Sequence, residues 1–101
     1  MDVVDHAPRA WFLLHDYDEL FFDVNCSQGA FGFSFLLRLT AQERAEYELR
    51  GRQALDELAR AVQDSGPIAR GTTSPYRFRD LTHLHGDEVM EAVMRWQSEH
   101  A

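Results

Sequence analysis

From Phe31 to Leu39 the chain alternates without a break. Phe31, Phe33, Phe35, Leu37 and Leu39 fall on one side, and Gly32, Ser34, Leu36 and Arg38 on the other. A period of two held over this length does not suit a helix. It predicts a β-strand with one face in a core. A strand with one apolar face needs neighbours, so the preceding sequence is read for them. Residues 10–15, Ala-Trp-Phe-Leu-Leu-His, are aromatic and aliphatic and of strand length. Residues 20–26 form a third strand segment, with Leu20, Phe22, Val24 and Cys26 on one face and Asp23 and Asn25 on the other. Phe21 is the exception to that alternation. Asp16-Tyr17-Asp18-Glu19 and Ser27-Gln28-Gly29 supply the turns. Three strands joined by short turns predict an antiparallel meander over residues 10–39, with residues 1–9 as an N-terminal arm.

The periodicity changes at Thr40. Thr40-Ala41-Gln42-Glu43 has the form of a capping box, in which hydroxyl and carboxylate satisfy each other's backbone amides. A single helix is expected over 40–64, with Tyr47, Gly51, Ala54, Leu55, Leu58 and Val62 on its inner stripe. Glu46–Arg50, Glu48–Arg52 and Asp56–Arg60 are spaced for ion pairs on its outer face. Gly66-Pro67 ends it, and residues 65–85 read as an irregular loop. A second helix is expected over 86–99, turning Val89, Met90, Val93 and Trp96 inward. The expected fold is therefore a single α+β domain: a three-stranded antiparallel meander packed on one face by two helices, in the order βββαα.

Charge narrows the functional classes. The 101 residues carry a formal charge of −7, and every basic residue is Arg. An acidic surface disfavours nucleic acid and anionic membranes, both of which need clustered cations. It favours a basic partner. The absence of Lys removes Schiff-base chemistry and a P-loop lysine. Together with scarce Ile and Asn, it reads as the codon bias of a GC-rich bacterial genome. A lone cysteine, Cys26, forms no internal disulfide and is expected as a buried, inert thiol. No signal peptide is recognised at the N-terminus, so a cytoplasmic protein is expected.

Two segments stand out as candidate sites. The acidic tip Asp16, Tyr17, Asp18 and Glu19 surrounds an aromatic with three carboxylates, a combination suited to a basic protein partner. Residues 65–85 hold three Arg and one Asp, whereas the rest of the chain sums to −9. Within them Arg70, Ser74, Tyr76, Arg77 and Arg79 are candidates for binding a carboxylate or phosphate. The competing reading is that these arginines anchor the loop. His83 and His85, with His6, His15 or Asp80, do not reach the convergent ligand set that a metal requires, so no metal and no cofactor is expected. No dinucleotide, Walker or nucleophile-elbow motif is present. The expectation is a protein-interaction module of the immunity- or antitoxin-type, binding rather than catalysing. An anion-binding protein or enzyme using the Arg70–Arg79 loop is the first alternative. The second is a homodimer formed through an uncovered sheet face bearing Trp11 or Phe12, Phe21 and Leu36.

Overall fold

A computed structural model describes residues 1–28, 31–67 and 71–100, with the side chains of 26–28 and 31–33 outside that description. Four strands form one antiparallel sheet in the order β1-β2-β3-β4: β1 Asp2–Ala7, β2 Trp11–Asp16, β3 Glu19–Gln28 and β4 Phe31–Arg38. The meander is as expected, with one strand more. Residues 2–7 show no clean alternation because β1 carries a bulge: Val3 pairs with Leu14 and Asp5 with Leu13, which leaves Val4 out of the ladder. The bulge brings Asp5 to Arg52 and Tyr47, whose side chains donate to its carboxylate at 2.8 and 3.1 Å. The expected arm is thus tied down as an edge strand.

The expected long helix is two helices, α1 Ala41–Arg50 and α2 Arg52–Ser65. Gly51 separates them with φ 68° and ψ −145°, a conformation essentially confined to glycine. The Thr40–Glu43 capping box is formed at the start of α1. Of the three expected ion pairs only Glu46–Arg50 is made. Arg52 turns to Asp5 instead, and Asp56 accepts the indole N–H of buried Trp11 at 2.8 Å. Gly66 closes α2 in the left-handed conformation.

The last helix, α3, spans Thr82–Glu99 and begins four residues before the expected start. Leu81 is its N-cap, and Asp80 just before it accepts from the Thr82 amide at 2.9 Å. The segment before α3 lies along the outer edge of β4. Leu81 N–H donates to the Leu36 carbonyl, and Thr82 Oγ1 accepts from the Leu36 amide. Arg79 donates to the Arg38 carbonyl. The Leu36–Arg38 end of this edge is therefore covered rather than left as a pairing template.

The helices do not share a face, which corrects the expected two-layer packing. Trp11, Leu13, Leu20, Phe22, Val24, Phe35, Leu37 and Leu39 pack against Leu55, Ala59 and Val62 of α2. On the opposite face Leu14, Phe21 and Leu36 pack against Val89 and Ala92 of α3. Both sheet faces carry a core, so Phe21 is not an exception in β3 but a member of the second one. The expectation for the Cys26 side chain lies outside the described residues. No described helix is long and apolar enough to cross a membrane.

Candidate functional site

α3 covers only part of its face, leaving Asn25 and Ser34 exposed. Under it lie the rows Leu14–Phe21 and Phe12–Asp23–Leu36, set by the pairings of Leu14 with Phe21, Phe12 with Asp23, and Asp23 with Leu36. The next row, Asn25 opposite Ser34, is exposed. Between this uncovered strip and the side of α3 runs a cleft of about 580 Å³. That volume is within the roughly 300–1,000 Å³ range of small-molecule sites. Its sheet side presents Phe12, Asp23, Asn25, Ser34 and Leu36, and its helix side Val89, Met90, Val93 and Met94. Arg9 and Ala10 of the β1–β2 turn line it too, as do Thr82, Gly86 and Asp87 at the start of α3.

Asp23 is the chemically distinctive group here. Its strand neighbours are Phe12 and Leu36, it is partly buried, and it makes no hydrogen bond or ion pair among the described residues. Burial raises its carboxyl from the ordinary 3.8 to about 6, and no cation among the described residues counters the effect. Asn25 is positioned rather than free: its amide donates to the Arg9 carbonyl at 2.9 Å, and its backbone N–H donates to the Ala10 carbonyl at 2.9 Å. The side-chain oxygen of Asn25 is left as an acceptor on the same strip as Asp23. Met90 and Met94, expected inside or unassigned, are 62% and 63% exposed and form a flexible apolar wall.

The residues singled out in the sequence lie elsewhere. Asp16, Tyr17, Asp18 and Glu19 form the β2–β3 turn, in which Tyr17 is 88% exposed at φ 54°. The fold brings cations to this tip that are distant in sequence. Arg38 sits 3.3 Å from Glu19, the N-terminal amine 3.9 Å from Asp16, and Arg44 donates to the Asp18 carbonyl at 2.6 Å. In the Arg70–Arg79 loop, Arg79 makes a two-pronged contact with Glu43 at 2.6 and 3.0 Å. Burial alone would raise the Glu43 carboxyl, but Arg79 and the Thr40 amide together hold it below its ordinary value. Arg77 donates to the Ser74 and Thr73 carbonyls. Ser74 is buried against Ser65, and Tyr76 packs on the main core. Arg70 lies outside the described residues. The described members of the loop are thus occupied in holding it.

Among the described residues no three His, Cys, Asp or Glu side chains converge as a metal site would require. His83 is exposed, and His85 sits against Phe21 with Glu88 at 3.4 Å. The face expected to be free for a second copy is occupied at Phe21 and Leu36 by α3, while Trp11 belongs to the opposite core.

No known protein family, curated protein or solved structure matches the chain.

The site therefore rests on geometry alone. Its residues were present in the sequence as Asp23 and Asn25, placed on the face away from the expected core. Phe21 on that same face was the available signal that a second layer lay over them.

Proposed function

We propose that the protein is a binding protein whose working surface is the cleft between α3 and the sheet, and that the cleft takes a small, mainly apolar ligand. One observation carries this reading: a concavity of about 580 Å³ sets an apolar helical wall beside a short row of polar side chains. Such a composition supplies hydrophobic affinity and a few orienting contacts. Methionine walls adapt their shape to an occupant at small cost. The strand positions of Asp23, Asn25 and Ser34 fix the polar row on a rigid element.

The test uses a neutral apolar fluorophore, N-phenyl-1-naphthylamine. The wild-type protein should enhance its emission, and amide shifts on binding should centre on Phe12, Leu36, Met90 and Met94. Ser34→Trp, which places an indole in the cleft, should abolish both effects while leaving the circular dichroism spectrum unchanged. Enhancement that persists in this variant, or shifts centred elsewhere, would refute the reading.

A second reading is favoured by a different observation. Tyr17 is an exposed aromatic held at positive φ, and no described contact accounts for it. An acidic interaction module would use such a residue as its anchor for a basic protein, as an immunity- or antitoxin-type protein does. Loss of a captured partner on Tyr17→Ala, with salt-sensitive association, supports this reading. Retention of the partner removes it.

A further inference from the structure

Resting on the cleft as the binding surface, we infer that its ligand carries a primary amine, with Asp23 as the counter-ion and the side-chain oxygens of Asn25 and Ser34 completing the ammonium's hydrogen bonds. An ammonium offers three N–H donors and no acceptor. The polar strip of the cleft offers a carboxylate, an amide oxygen and a hydroxyl side by side on adjacent strands. The Asn25 amide nitrogen is already committed to the Arg9 carbonyl, so its oxygen is the atom left for a donor. Among the described residues no basic group pairs with Asp23, whereas several other acids do have a cationic partner. Glu19, Glu43, Glu46 and Asp5 each have an arginine partner. A carboxylate placed between Phe12 and Leu36 costs stability unless something returns the interactions lost with water. An anionic ligand would meet repulsion from Asp23 and Asp87, the two carboxylates that outnumber the single guanidinium of Arg9 in the lining. A wholly apolar ligand would leave the carboxylate both desolvated and unpaired. Charge complementarity therefore selects a cation, and the apolar wall selects an organic one. The net charge of −7 raises the local concentration of cations around the whole molecule.

Three charged or titratable groups face the cleft: Asp23 from β3, Arg9 from the β1–β2 turn and Asp87 from α3. Ammonium binding requires Asp23 ionised. Its carboxyl titrates near pH 6, so affinity for an amine should fall as the pH drops through that value.

The experiment compares 2-phenylethylamine with 2-phenylethanol, which matches it in size and lacks the charge, by NMR shift titration of the full chain at pH 8. The expected result is a preference of about tenfold for the amine, the scale of one charge-assisted hydrogen bond. Asp23→Asn should remove the preference and leave alcohol binding intact. Asp87→Asn should retain it, and lowering the pH to 5 should largely remove it in both the wild type and Asp87→Asn, which keep Asp23. Equal binding of the two compounds to the wild type overturns the counter-ion assignment and leaves the cleft reading standing. Failure of both compounds to shift cleft residues overturns both. A preference that survives Asp23→Asn but vanishes in Asp87→Asn also overturns the assignment, moving the cation to the start of α3.

Discussion

Replacing Asp23 by Asn should stabilise the unliganded protein at neutral pH and do little in acid. The carboxyl lies near 6 in the fold against an ordinary 3.8. The folded state therefore holds this proton more tightly than the unfolded chain does. The stability it contributes is complete below pH 3.8 and is lost as the pH rises through about 6. The gap between the two values corresponds to ~3 kcal/mol at most. Asp23 is partly exposed to an open cleft, and solvent there reduces the figure to ~1–2 kcal/mol. Asparagine keeps the shape and removes the ionisation. Its advantage over the wild type should appear in full at pH 8 and fade toward pH 4. For a domain of this size the gain corresponds to roughly 5–15 °C in Tm. Urea denaturation of both proteins across pH 4–8 measures the difference directly, and groups common to both cancel. A variant less stable than the wild type at pH 8, or a difference that does not change between pH 5 and 8, would refute the claim that Asp23 is desolvated without a partner.

Three further outcomes follow from the fold. Gly51→Ala should cost ~1–3 kcal/mol in chemical denaturation. A Cβ there meets nothing within 4 Å, so the whole cost is backbone conformation; an unchanged midpoint would argue for one continuous helix. Arg79→Gln should cost ~1–3 kcal/mol near neutral pH by leaving Glu43 without its guanidinium. Because Glu43 is held below its ordinary value, that loss should shrink as the pH falls through the Glu43 pKa, a trend that pH-dependent thermal melts would reveal. Tyr17→Gly should raise stability by up to ~1 kcal/mol by relieving φ 54° at the hairpin; a drop would mean the ring makes a stabilising contact.

The sheet was legible where side chains alternate in one register, as at β4, and where the capping box marks the start of α1. It was not legible at β1, because the bulge at Val4 shifts the pattern by one residue. The break at Gly51 was hidden because a glycine on an apolar stripe looks the same whether it packs closely or turns the chain. Placing α3 on the second face required knowing that the Phe21 row needed cover, a tertiary fact that no local period encodes. The candidate site inherits that limit. Asp23 and Asn25 look like solvent-facing positions until a helix 60 or so residues later in the chain is laid beside them. Tyr17 and Arg79 were visible as unusual residues, but the partners that surround them come from distant segments.

The meander also bears on how the molecule assembles. Every strand pairs with its neighbour in sequence, so the sheet can zip hairpin by hairpin with short loop closures. α3 is different. Arg95 reaches the Met1 carbonyl across 94 positions, and only Val89 and Ala92 of the helix are buried, against four residues of α2. Its docking closes a long loop and is supported by little buried surface. The helix should therefore detach as a unit while the sheet and α2 stay folded, so its amides should exchange with solvent at a lower free energy than those of β2 and β3. Since one wall of the cleft is this helix, the binding site should be lost whenever α3 detaches. An occupant bridging wall and sheet would slow exchange in α3 more than anywhere else.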